Sequence, residues 1–447
     1  MARSDGDANS LIIVGAGGCG MMAALVAAGK GISVLLLEKT DKSGGSTALS
    51  SRGIRAAGSR FQRALDIEDS PEQYARDIFG RNSDQSDPAL TQRLAEVSGP
   101  VADFLADVAR IDFSVGEFVF GHSARRAHSW TEDKTITDFL FEAVERESKI
   151  QVRFSISVLG FQQADDGTVT GVVTDSGVIP AAKVILASGG FGASQELVSQ
   201  YIPEVAGVHF PGHHGSTGDG IEMGVAVGAA LENMASFQPY PAHIGPGMRS
   251  VSPEVIMAGG IMVDPQGKRF VDETRYPGGL SNGILQLPDK QAYEILDQRL
   301  YELLPHYSLE EYLTEGLLHQ AQTPRDLAGK LGIDAEGLEQ TVEEYNGLAG
   351  VGPDRFGRTP PEPFKAPYYG IRVKAALYHT QGGLKVNTDG QVLRADGSII
   401  PNLYAGGGVA TGVSGAGMEG YLPGNGQLAS LGLGMLAAQH AAASLMA

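Results

Sequence analysis

One cysteine and one tryptophan stand among 447 residues. A lone Cys19 can close no internal disulfide and cannot build a zinc or iron–sulfur cage. A reducing compartment, the cytoplasm, is therefore expected, with no metal site. Trp130 by itself carries no signal. Basic residues are in deficit: 34 Lys and Arg against 52 Asp and Glu leave a formal charge of −18. A field of that sign opposes nucleic-acid phosphates and anionic lipid heads, so neither nucleic acid nor a membrane is expected as a partner. No apolar run approaches the roughly 20 residues of a spanning helix, and residues 1–10 lack the charged, apolar and cleavage regions of a signal peptide. The expectation is a soluble, unprocessed chain. Its length suits one large two-part fold or two to three ordinary domains.

Glycine is what the chain has in excess: 61 of 447 residues, about 14% against a usual roughly 7%, without a collagen-like period. The glycines cluster at 15–20, 44–45, 189–192, 215–220, 382–383 and 406–426, each beside an apolar or helix-like stretch. Separated loops that all allow close backbone approach suggest one extended ligand touched from many parts of the chain.

The first cluster has the most context. Residues 11–14 read as a short apolar strand, GAGGCG at 15–20 as a turn, 21–28 as a small-residue helix, and 32–37 as a second buried strand ending at Glu38. This order is the dinucleotide fingerprint in its expected setting. Gly15 would permit the tight turn, Gly17 the approach of backbone to pyrophosphate, and Gly20 the close packing of helix on strand. The pyrophosphate would sit at the positive helix terminus. Glu38 would accept from a ribose 2′-hydroxyl and repel a 2′-phosphate, which disfavours NADP. Cys19 reads as a small helix-face residue in this turn.

Further landmarks follow: GGST at 44–47, GHSARRAH at 121–128, LASGGF at 186–191, STGDG at 216–220, GKRFVDE at 267–273, HTQGG at 379–383 and LYAGGGVATG at 403–412. In this order they resemble the flavoprotein subunits of the fumarate reductase and succinate dehydrogenase superfamily, and the resemblance covers nearly the whole chain. It implies an α/β fold: a discontinuous Rossmann-like FAD-binding domain, residues 1–235 and 366–447, with an inserted α+β cap domain at 236–365. Residues 172–179 would supply a small β-sheet, and 327–348 the helical end of the cap.

Carried onto this sequence, the resemblance implies that Gly15, Gly17, Gly20 and Glu38 hold the adenosine diphosphate half of FAD, with the Val158 backbone at the adenine. Ser46 and Thr47 would lie beside the flavin, and Gly45, Ser188, Gly189 and Gly407 along the cofactor. Asp219 would support the flavin edge, and the helix starting near Asn425 would point its positive end at the pyrimidine carbonyl. Ser46 stands near the point where succinate dehydrogenases tether FAD through histidine, so non-covalent FAD is expected. Gly408 replaces an acid that the family often places near the ribityl chain.

The substrate side departs from the dicarboxylate pattern. The segment Asp272-Glu273-Thr274-Arg275-Tyr276-Pro277 places Pro277 where soluble fumarate reductases carry their acid arginine, and Tyr421 stands where a clamp arginine is expected. His379 and Glu254 remain from the dicarboxylate set. The C-terminal third is more similar to 3-ketosteroid Δ1-dehydrogenases. That likeness implies desaturation of the α,β carbon pair of a carbonyl compound, a cyclic ketone such as a 3-oxosteroid or an oxocyclohexane carboxylate, by proton abstraction and hydride transfer to flavin N5. Tyr421 with the N–H of Gly424 or Gly426 would clamp the carbonyl, and Tyr276 would be the base, assisted by Arg275. The alternative is a fumarate-reductase-like reductase of the C=C bond of an unsaturated acid, using His379 and Arg275. A flavoprotein with a structural or redox-sensing FAD is a third class. The partners implied are a small carbonyl substrate and an electron acceptor of unknown class; the oligomeric state is not implied. His122, Arg125, Arg126 and His128 read equally as a site-lining run or as a solvated loop.

Overall fold

The structure is a computed structural model and describes residues 9–50, 52–117, 121–245, 249–275, 277–303 and 309–447. The chain divides into two compact units: one of Met1–Pro203, Gly212–Phe237 and His379–Ala447, the other of Glu204–Pro211 and Gln238–Tyr378.

The first unit is built on a sheet in the order Gln391–Leu393, Ile399–Ala405, Gly177–Leu186, Asn9–Val14, Val34–Leu37, Ile150–Arg153. Apart from the antiparallel edge pair Gln391–Leu393 and Ile399–Ala405, these neighbours run parallel. Leu11, Ile12 and Ile13 are fully buried in the middle, as expected of a parallel sheet covered on both faces, where strands read as continuous apolar runs. The first half of Gly177–Leu186 also pairs with Val169–Thr174, which pairs with Val158–Gln163; these make the small antiparallel sheet.

Helix Gly18–Gly29 follows the first strand and is buried along nearly its whole length. Its small residues let helix Asn425–Met446 pack against it. A side-chain carbon at Gly434 would lie 2.6 Å from the Cys19 carbonyl oxygen. Helix Asn425–Met446 amends one expectation from the sequence: by length and composition it is apolar enough to cross a membrane, its polar residues being too scattered to lower the average. Here 67% of its most apolar window is buried inside the protein.

The second unit centres on a sheet in the order Phe237–His243, Tyr368–Thr380, Gln291–Asp297, Ile261–Val263, with Leu318–Ala321 also pairing on Tyr368–Thr380. Helices Pro324–Leu331 and Ala335–Leu348 pack beside it; Thr323 and Asp334 cap them by accepting from the N–H groups of Asp326 and Gly337. This unit runs to Tyr378, past the boundary expected at 366. The reason is that Tyr368–Thr380 is bonded on both sides within it, and His209, from Glu204–Pro211, bridges to Ala376.

Candidate active site

The nucleotide cradle is formed at the sheet's carboxyl edge. Gly15 has φ +108°, and a side-chain carbon there would lie 2.4 Å from the Ala187 carbonyl oxygen. At Gly20 it would lie 1.9 Å from the Gly15 oxygen, so the turn and the helix close only with glycine at both. Gly17 differs. Its backbone is extended, and an added carbon would meet protein atoms no nearer than 3.7 Å. Nothing within the chain demands glycine at 17; an outside group approaching the backbone would. Helix Gly18–Gly29 starts there without any side-chain cap although its first residues are buried. Such a buried, uncapped N-terminus needs an external acceptor, and a pyrophosphate fits it.

Glu38 is half-buried beside this loop. Its Oε2 accepts from the Ala16 N–H at 2.8 Å, and Oε1 from the Thr40 N–H and hydroxyl at 2.9 and 2.8 Å. Three bonds fix the carboxylate and leave acceptor capacity for ribose hydroxyls. Val158 lies nearby in the chain path, because the Ile156 N–H bonds to the Glu38 carbonyl. Gly44 donates to the Ala16 carbonyl, and the turn Gly45–Leu49 that follows sets Thr47 against Gly18. Ser46 is exposed and shares a hydrogen bond with Ser216 at 3.1 Å.

Two buried polar atoms without partners point the same way: Ser188 Oγ, just before the Gly189 turn, and Asn425 Oδ1. An acid at 408 has no room, since a side-chain carbon there would lie 2.7 Å from the Gly190 nitrogen. Gly407, at φ +69°, packs on Cys19, whose thiol burial pushes up to about 12. Asp219 starts a short helix, but its carboxylate is already engaged, by Lys39 at 2.7 Å and the Thr217 hydroxyl at 2.6 Å. Burial opposes its ionisation, yet these two donors hold its pKa below the usual range.

A second cluster surrounds the start of helix Asn425–Met446. The loop before it is tied down by His122, whose Nε2 donates to the Pro423 carbonyl at 2.9 Å, and by Arg81, which donates to the Tyr421 carbonyl at 3.2 Å. Tyr421 is 5% exposed, and its ring meets the His379 ring edge-on at 5.6 Å. Burial pushes its hydroxyl up to about 12, an effect that the Gly424 and Gly426 amides oppose. These amides, expected to clamp substrate alongside Tyr421, belong to the same loop and helix start as the tyrosine. His379 lies against Gly426, where an added carbon would be 2.7 Å from its Cε1. Burial drives its pKa down to about 4, so the ring is neutral at physiological pH.

Arg55 was not singled out in the sequence, because no motif marks it. Its stem packs on Gly424, its Nε is buried without a partner, and it interacts electrostatically with Tyr74 and Tyr421. Among the described residues it has no carboxylate partner.

The GHSARRAH run is neither a solvated loop nor a free clamp. Arg126 is 0% exposed, bonds Asp69 through two nitrogens at 2.7 and 2.8 Å, pairs with Asp77, and stacks on Tyr74 at 4.6 Å. His128 bonds the Arg126 carbonyl and Ser59. Arg125 donates to the carbonyls of Val115 and Gly116. The run is an interior brace, and His122 links it to the Tyr421 loop.

The remaining candidates belong to the second unit. Glu254 is exposed in the short helix Pro253–Met257, with its carboxylate taken by the Ser252 hydroxyl. Arg275 is exposed and folds over Gly279. Tyr276 lies outside the described residues. The segment leading to them is anchored by Glu273, fully buried, which accepts from Arg269 at 2.6 and 2.8 Å, from Arg358 at 2.9 Å and from the Met262 N–H at 3.1 Å.

Comparison with known proteins agrees with this geometry. Residues 10–427 match the family described as FAD binding domain. The chain is 32% identical to an NADH:fumarate oxidoreductase of Klebsiella pneumoniae over 419 residues, 91% of this chain and 45% of that protein, so it spans under half of that relative. A flavocytochrome c3 fumarate reductase in an open conformation superposes with a TM-score of 0.82 at 29% identity, covering 98% of this chain and 79% of the other. A 3-ketosteroid-Δ4-(5α)-dehydrogenase from Rhodococcus jostii RHA1, in complex with 4-androstene-3,17-dione, gives 0.79 at 25% identity, covering 97% and 96%. With its cradle and a family match over residues 10–427, the chain belongs to the FAD binding domain family, among flavin-dependent oxidoreductases that include the fumarate reductases.

Proposed function

We propose that this protein interconverts a saturated and an α,β-unsaturated carbonyl compound, desaturating the carbon pair beside a ketone whose oxygen sits at the start of helix Asn425–Met446. One observation carries the reading: two of the side chains gathered there, Tyr421 and His379, are neutral hydrogen-bond donors. The Tyr421 O–H and the His379 ring offer hydrogens to an oxygen without a full charge. A ketone oxygen gains negative charge only as the adjacent C–H bond breaks, so such donors act chiefly on the transition state. FAD, held without a covalent bond because serine stands at 46, supplies hydride acceptance and return when bound. Glu38 and the uncapped helix at Gly17 orient its nucleotide end.

A second reading is favoured by Arg55. A largely buried guanidinium beside Tyr421 with no carboxylate partner would be neutralised by the carboxylate of an unsaturated acid. The relatives named as fumarate reductases support it. Anaerobic mixing of the FAD-loaded protein with a saturated cyclic ketone separates the two. Loss of flavin absorbance without added reductant is expected under the first reading. If reduction needs dithionite and an enoate then restores the oxidised spectrum, the second holds; if neither compound alters the spectrum, both fall.

A further inference from the structure

We propose that Gln381, held by Ser414 and Asn425, is the positioning residue that locks His379 as its Nε2–H tautomer and so makes it a permanent hydrogen-bond donor. The geometry favours one direction along this chain of bonds. Val413 presents a carbonyl oxygen, which can only accept, and Asn425 Nδ2 lies 3.5 Å from it and 3.1 Å from Ser414 Oγ. That orients the Asn425 amide, because the opposite flip would set oxygen against oxygen. Ser414 accepts from Asn425 and donates its own proton to Gln381 Oε1 at 2.8 Å. Gln381 therefore turns its NH2 toward His379 and donates to Nδ1 at 2.9 Å. A ring nitrogen that accepts carries no proton, so the proton resides on Nε2, on the side of Gly426.

A competing acceptor exists. The Thr380 carbonyl lies 3.4 Å from Nδ1 and would favour the other tautomer. At 2.9 Å against 3.4 Å the glutamine bond is the shorter of the two, and Ser414 and Asn425 back it. The groups around the ring are Tyr421, Gln381, the Thr380 carbonyl and the Gly426 backbone; among the described residues no charged side chain bears on its ionisation. All members of this network lie in the first unit, and Asn425 and Ser414 are 0% and 1% exposed.

The consequence for substrate binding rests on the oxygen-holding role proposed above; the tautomer does not. The test uses FAD-loaded full-length protein labelled with 15N-histidine, with His379→Asn to assign the signal. Between pH 6 and 8 the wild type is expected to show a protonated Nε2 and a bare Nδ1. Gln381→Glu, of the same size, places an acceptor at Nδ1: the proton should move to Nδ1 in the neutral ring, and the ring's ionisation should rise from near 4 by at least one pH unit. Gln381→Leu should give the Thr380-bonded tautomer. Retained flavin absorbance checks that each variant is folded. A wild-type Nδ1 that carries the proton, or a tautomer unchanged in both variants, overturns the proposal. Binding of 4-nitrophenol, whose phenolate oxygen needs donors, is followed in parallel by its visible absorbance. Absence of binding with the expected tautomer would count against the oxygen site alone.

Discussion

Glu294 provides the sharpest quantitative test of the physical reasoning. It lies in the middle strand Gln291–Asp297 of the second unit, is 0% exposed, and neither carboxyl oxygen has a hydrogen-bond partner. Burial, reinforced by the negative charge of Glu273, raises its pKa from 4.5 to about 8. Glu273 is committed to Arg269 and Arg358, whereas both Glu294 oxygens lack a partner, so Glu294 is the member that keeps its proton. The unfolded chain releases that proton near pH 4.5 while the folded chain retains it to about 8. In this window the native state binds more protons, and stability falls as pH rises.

The size follows from roughly 1.4 kcal/mol per pH unit. At pH 5.5 the wild type should lose about 1.4 kcal/mol to this group, and at pH 7.5 about 4 kcal/mol. Glu294→Gln keeps the shape and stays neutral throughout, so it should be more stable than wild type by those amounts, with the difference vanishing below pH 4.5. Urea unfolding of both proteins at saturating FAD, followed by circular dichroism from pH 5.5 to 8.5, avoids the isoelectric region near pH 5.0. A difference independent of pH, or a glutamine variant less stable at pH 7.5, would show that the carboxylate is ionised and paired. That result would refute the burial argument.

Other outcomes are as definite. Gly17→Ala should leave the melting temperature of the FAD-free protein unchanged, because the added carbon makes only ordinary contacts, yet should weaken FAD binding by at least tenfold in a fluorescence-quenching titration. Glu38→Ala should lose FAD on desalting, and retention equal to wild type would remove the ribose contact. Tyr421→Phe should retain flavin but slow substrate-dependent flavin reduction by about a hundredfold, the scale of one lost oxyanion donor. Cys19, buried and with its thiol held up to about 12, should not react with a thiol reagent at pH 8 until the protein unfolds.

Much of the nucleotide half was legible in the sequence because each residue there answers a local demand. Gly15 and Gly20 are needed by a turn and by a close approach that any reader of strand, glycines and helix can anticipate, and Glu38 ends the second strand where a ribose would lie. The helix start at Asn425 and the placement of Tyr421 and His379 could be reached through resemblance. Long-range pairings could not. Arg126, in a polar run that reads equally as loop or clamp, finds its carboxylates on Asp69 and Asp77, 57 and 49 residues earlier. Arg55 and Gln381 gain their meaning only from residues at 421–426 and 414 brought to them by the fold. The expected return to the first domain at 366 failed for the same reason: which sheet a strand joins is decided by its neighbours, and Tyr368–Thr380 pairs inside the second unit.

The replacement of cationic clamps by neutral donors has its own logic. A guanidinium bound to a substrate oxygen stabilises charge that is already present, so it strengthens ground state and transition state alike. A buried phenol, and an imidazole whose proton is fixed on one nitrogen, interact weakly with a ketone and more strongly with the enolate it becomes. The low-dielectric surroundings that push Tyr421 up to about 12 and His379 down to about 4 keep both groups uncharged across the physiological range. The same burial amplifies each hydrogen bond to a developing oxyanion. On this argument the rate of flavin reduction by a ketone should be flat between pH 5.5 and 8 with respect to these two groups. A bell-shaped profile that His379→Asn or Tyr421→Phe abolished would show one of them gaining or losing a proton during turnover, as an acid or base and not as a fixed donor.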